Sequence, residues 1–105
     1  MSARHAYERA AAEVARLESK LRGLLAAHKD AEFDSNDQSR SSDTRKKAKG
    51  RMRQLDRRIE DVQGDLRDQR AKMREAQRRM QVEASMSAYV PAEIAGRIAR
   101  YDSRR

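Results

Sequence analysis

Cysteine and tryptophan are absent from this 105-residue chain, and there is one phenylalanine, one proline and four glycines. Without cysteine there is no disulfide, no thiol nucleophile and no cysteine-ligated metal. Aromatics make up only 4% and charged residues 40%, which argues against a large globular core. The single proline, Pro91, leaves the first 90 residues free of the strongest helix breaker. No stretch approaches the roughly 18 consecutive apolar residues of a membrane span. The start, Met1-Ser-Ala-Arg-His, has no apolar segment of the secretory kind, and Glu8 and Glu13 argue against a transit peptide. These features favour an intracellular protein.

What is present is a heptad. From Met52 to Met80 the apolar residues fall at Met52, Leu55, Ile59, Val62, Leu66, Met73, Ala76 and Met80. The spacing is three then four, interrupted once by Gln69. A seam of about two positions in seven marks a coiled-coil helix. A disordered polar chain would not keep this register.

Residues 3–33 carry a second seam: Ala3, Tyr7, Ala10, Val14, Leu17, Leu21, Leu24, His28 and Ala31. Residues 34–44 have no apolar side chain and are rich in Asp, Asn and Ser, which favour turns and caps. They read as a connector, with Ser42, Asp43 or Thr44 as the next cap. A second helix is expected over 45–87. Pro91 then suits the first turn of a short third helix within 89–105, whose Ile94, Ala95, Ile98 and Tyr101 share a face. The expected fold is all-α: an antiparallel two-helix coiled-coil hairpin over residues 1–88 with a short C-terminal helix and basic tail over 89–105.

Facing seams require paired residue numbers to add to 76 or 83. The first frame sets Lys20 by Arg58, Glu13 by Asp65 and Glu18 by Asp56, all repulsive. The second sets Lys20 by Asp65, Glu13 by Lys72 and Glu32 by Lys49, all attractive, and it is preferred although exposed pairs contribute only about 0–1 kcal/mol each. In that frame Arg45 to Lys49 fall beyond the last layer, in an extended turn.

The net charge is +8, and residues 45–88 hold 14 basic against 7 acidic side chains. The densest run is Arg45, Lys46, Lys47, Lys49, Arg51 and Arg53. It is a candidate for neutralising nucleic-acid phosphates, with no interleaved aromatic to stack on bases; the plainer reading is a charged face that meets only water or an acidic protein. Gln69 in the seam is either a register-setting polar residue or one tolerated in a half-wet interface. His28, with only His5 as a second histidine, more naturally belongs to the seam than to a metal site. Ser41 and Ser42 follow Arg40 and would oppose the basic run if phosphorylated.

The carboxylates lie at salt-bridge spacings such as Glu18–Arg22 and Glu75–Arg79 rather than in a catalytic arrangement. No enzyme activity, cofactor, metal or small-molecule substrate is expected. Leu25, Val90, Ile94, Ile98 and Tyr101 have no partner inside a two-helix seam, and such a seam alone is thin for a stable fold. They are the candidate protein-interaction residues. The expected function is therefore a coiled-coil assembly or adaptor subunit that meets a protein partner or a second copy. The alternative is a basic helical protein bound to RNA or DNA through the run at 45–53.

The length and hairpin layout also resemble the small helical proteins handled by type VII secretion systems. That family carries Y-x-x-x-[D/E] after its second helix, and Tyr89-Val-Pro-Ala-Glu93 fits the pattern. Its W-x-G turn is missing here, since the chain has no Trp. The resemblance implies a small secreted helical hairpin as a third reading.

Overall fold

The structure is a computed structural model that describes the backbone of residues 2–103 and the side chains of residues 2–86. It is all helical, with two elements: α1, Ala3–Asn36, and α2, Ser42–Ser103. The two helices pack against each other along α1. At about 1.5 Å per residue, α1 is about 51 Å long and α2 about 93 Å. The longest dimension of the molecule, 94 Å, is therefore that of α2 alone.

Local chemistry sets the helix ends. The Ser2 hydroxyl accepts from the His5 amide at 3.1 Å and caps α1. At the other end Asp37 leaves the helix in an extended conformation. Its carboxylate accepts from the Ser39 amide at 3.0 Å and the Ser39 hydroxyl at 2.6 Å. The Arg40 amide donates to the Asp37 carbonyl at 3.1 Å and closes the turn. Ser41 then caps α2, its hydroxyl accepting from the Thr44 amide at 3.1 Å. Ser42, Asp43 and Thr44 are thus helical residues rather than the cap.

The connector accordingly shrinks to residues 37–41, and the expected boundaries of 34 and 44 are corrected. The seam explains the change. Ser35 lies four residues after Ala31 and Ala48 four before Met52, so each adds one more turn to its helix. Both are buried. The Ser35 hydroxyl donates to the Glu32 carbonyl at 2.8 Å, so its polar group is satisfied inside its own helix. Arg45 to Lys49 are helical here rather than part of an extended turn.

Every seam residue named from the sequence is buried or half-buried, from Ala3 to Ala31 on α1 and from Met52 to Met80 on α2. Val14, Leu17, Val62 and Leu66 form the core, with Leu21, Leu24 and Met73 packed against it. Leu17 and Leu66 are the tightest, each 2% exposed. Cross-helix polar contacts join His28 to Asp56 at 2.9 Å, Asp34 to Arg51 at 3.4 Å and Glu18 to Arg70 at 3.4 Å. Rising numbers on one helix meet falling numbers on the other, so the helices run antiparallel. The three pairs add to 84, 85 and 88, nearer 83 than 76. The ion pairs anticipated for the 83 frame (Lys20–Asp65, Glu13–Lys72, Glu32–Lys49) do not form among the described residues. Long side chains reach instead to acids offset along the seam.

The separate third helix is also corrected. The structure has a single helix from Ser42 through Pro91 to Ser103. Proline forfeits one helical hydrogen bond and crowds the preceding turn. It did not end the helix in a stretch where Ala88, Ala92, Glu93, Ala95 and Arg97 otherwise favour helix.

Candidate interaction surfaces

Three surfaces follow from this geometry. The first is the basic start of α2. Its six residues do different things. Arg51 donates to the Asp34 carboxylate at 3.4 Å and ties α2 to the end of α1. Arg40 reaches the same Asp34 at 3.9 Å and Asp37 at 3.5 Å. Arg45 is half-buried and donates to the Gln38 side chain at 3.4 Å, while its Nε is enclosed without a hydrogen-bond partner. Lys47 lies 3.7 Å from Asp43. Half of the expected phosphate-binding set is thus engaged around the turn. Lys46, Lys49 and Arg53 are exposed, with no acidic partner among the described residues. At 100° per residue they fall within about 60° on one face.

The second surface is the cleft between the helices near Gln69. Small residues on both sides open it: Ala6 and Ala10 on α1, Ala76 on α2. Glu13 and Lys72 border it. Gln69 itself is half-buried there. Arg16 Nε donates to Glu13 at 3.0 Å, and this guanidinium holds the Glu13 carboxyl below its ordinary 4.5. Glu13 in turn raises Arg16 further above its usual value. The Ser39 hydroxyl, helped by the Ser39 amide and Arg40, likewise holds Asp37 below its ordinary 3.8. These are exposed, screened pairs that shape the surface rather than reactive groups. Among the described residues no cluster of His, Asp and Glu could hold a metal ion.

The third surface is where α2 outruns α1. Arg79 lines the same cleft as Ala6, so α1 has reached its start by residue 82 or so of α2. At this level Val82 is 52% exposed, and a turn on Met86 is 57% exposed; at 100° per residue both lie on the side of α2 turned away from Met80 and the seam. Together with Arg78, Gln81 and Ser85 they line a shallow, mainly apolar hollow. The helix continues to Ser103. Of the interaction residues expected from sequence, Leu25 is 48% exposed on α1. Val90, Ile94, Ile98 and Tyr101 lie on this same helix, and so does the Tyr89-to-Glu93 pattern; their side chains fall outside the described residues. Sequence reasoning passed over Phe33, which is 70% exposed near the turn. Val82 and Met86 likewise fall outside the interaction residues named from the sequence. The available signal was their four-residue spacing, which continues to Val90, Ile94 and Ile98.

No helix among the described residues is long and apolar enough to cross a membrane. These features define a class by geometry: a two-helix hairpin with one helix prolonged past the other. Comparison with known protein families, curated proteins and solved structures found no match.

Proposed function

We propose that this chain is a non-enzymatic coiled-coil assembly or adaptor subunit whose prolonged α2 docks a protein partner or a second copy. The observation that carries the reading is the exposed apolar pair Val82 and Met86 on the outer side of a helix that runs on past the start of α1. Burying two such side chains is worth about 1.5–3 kcal/mol each. Val90, Ile94, Ile98 and Tyr101 extend the same segment, and Leu25 offers a secondary contact on α1. The paired seams of α1 and α2 act as a rigid coiled-coil strut that holds this segment clear of the hairpin.

The test is size exclusion with light scattering on natively purified protein, read at 260 and 280 nm. With no Trp and three Tyr, the chain absorbs weakly, so bound nucleic acid stands out. An oligomer or protein complex without excess 260 nm signal is expected. Changing Ile94 and Ile98 together to Asp releases the partner; retention of the complex overturns this choice of face.

A second reading rests on Lys46, Lys49 and Arg53, three exposed cations on one face of α2. It makes the protein a phosphate-binding helical subunit of a nucleic-acid complex. A salt-labile 260 nm excess, lost when all six basic residues of 45–53 become Ser, would replace the first reading with this one.

A further inference from the structure

The cations of α2 are not spread evenly along it. Residues 45–58 hold eight basic side chains against Asp56 alone. Residues 59–66 hold Glu60, Asp61 and Asp65 and no basic one. Residues 67–79 hold six basic side chains against Asp68 and Glu75. Two basic stretches thus flank an acidic one. Counting heptads from the seam adds a direction. Arg57 and Arg78 stand directly opposite the seam, and Lys46, Arg53, Arg67 and Arg74 lie about 50° to one side of them. All six are exposed on this outer face. Among the described residues, Arg78 alone of the six is paired with an acid, Glu75 at 3.8 Å.

The pattern repeats. Lys46, Arg53 and Arg57 recur 21 residues later as Arg67, Arg74 and Arg78. That interval is three heptads, so, measured from the seam, the second triplet returns to the same face, about 32 Å along the helix. The heptad between them breaks the pattern, with Glu60 and Gly64 where the first triplet has Arg53 and Arg57. A cationic face kept only for solubility needs no such gap. Double-stranded DNA presents the phosphates of one strand again after a full turn, about 34–36 Å along its axis. The long side chains of Arg and Lys absorb the small difference. Gly50, Gly64 and Ala71 lie on the same face and leave it low between the cations. A Cβ at Gly50 would meet no atom within 4 Å, so the surface is open there.

We propose that double-stranded DNA lies lengthwise along the outer face of α2, its phosphates held by Lys46, Arg53 and Arg57 and, one turn on, by Arg67, Arg74 and Arg78. No aromatic side chain stands between residues 46 and 78, so the contact is to the backbone and not to the bases. This rests on the second reading above and moves its site, since four of the six cations lie outside the run at 45–53.

The test is fluorescence anisotropy of the full chain with a labelled DNA duplex of about two turns, over a range of salt concentrations. Six phosphate contacts predict a slope of about −5 when log affinity is plotted against log salt. Changing Arg67, Arg74 and Arg78 together to Gln removes three contacts and is expected to bring the slope to about −3. Changing Lys46, Arg53 and Arg57 to Gln is expected to do the same. The six side chains are exposed, so the thermal melt should stay unchanged in both variants. Changing Arg67, Arg74 and Arg78 to Lys keeps the charge and is expected to keep the slope. A wild-type slope in the second-triplet Gln variant overturns the lengthwise contact and leaves the second reading standing on 45–53. A Lys variant as weak as the Gln variant, with the melt unchanged, overturns phosphate neutralisation by the second triplet. Single-stranded DNA bound as tightly as duplex overturns the duplex occupant. A wild-type chain that leaves the duplex unbound at low salt overturns both this inference and the second reading.

Discussion

Two stretches of the same helix behave differently. Between Ala48 and Met80, α2 buries even its small side chains, with Ala48 at 0% and Ala76 at 3% exposure. Two and six residues past Met80, the larger Val82 and Met86 stand more than half exposed. Hydrophobicity of the residue does not set burial here. What sets it is whether a position faces α1: Val82 and Met86 lie about 160° and 120° round α2 from Met80, off the seam. An isolated helix can bury nothing against itself beyond its own turns, so each apolar position needs a second helix at that level. The shaft has that partner within the chain. The prolonged segment must find it elsewhere or leave its apolar side chains in water.

The comparison breaks most severely at the core. Leu66→Ala removes a side chain packed with Val14, Leu17 and Val62, and is expected to cost about 2–4 kcal/mol, read as a lowered midpoint in urea by circular dichroism. The same truncation at exposed Val82 is expected to cost the isolated chain under about 0.5 kcal/mol. Equal losses at the two sites would erase the distinction between shaft and prolonged segment.

The loop end sharpens the picture at smaller scale. Ser41→Ala leaves the first amides of α2 without their hydroxyl acceptor and should lower stability by about 1 kcal/mol. In the opposite direction, a Cβ at Gly50 would meet no atom within 4 Å. Gly50→Ala should therefore stabilise the shaft by about 0.5–1 kcal/mol in the same melt, through helix propensity alone. A loss at Gly50 would reveal a close neighbour at that point.

The smallest effect is acid sensitivity at the turn. The Asp37 carboxyl is held below its ordinary 3.8 by the Ser39 hydroxyl, the Ser39 amide and Arg40. A depressed carboxylate contributes stability that is fully present above the ordinary value and is lost as pH falls through the folded one. Thermal melts should show wild type above Asp37→Asn near neutral pH, with the two curves converging below about pH 3.8. A constant gap down to pH 2 would remove the charge from the account.

Much of the shaft was legible in the sequence because the heptad is a local, periodic signal. All eighteen seam positions read from it, Gln69 and His28 included, are buried or half-buried. The errors lie where a polar residue does a structural job. Ser35 reads as turn chemistry, yet it closes the last layer by donating to its own helix. Arg51 and Arg45 also carry contacts that the basic run does not announce, to Asp34 and Gln38 across the turn. Side-chain type gives no warning of such partners when they lie seven or seventeen residues away. Pro91 misled in another way, because one lost hydrogen bond need not end a long helix whose neighbours all favour it.

By itself, the sequence determined that this protein is helical, that two seams exist and which residues line them, since apolar spacing follows from helix geometry alone. Only the tertiary structure decided where the turn closes, which cations are engaged around it and that α2 is one helix rather than two. It also decided where α1 stops covering α2. That depends on how the two helices are aligned, a relation between distant residues that no local pattern carries.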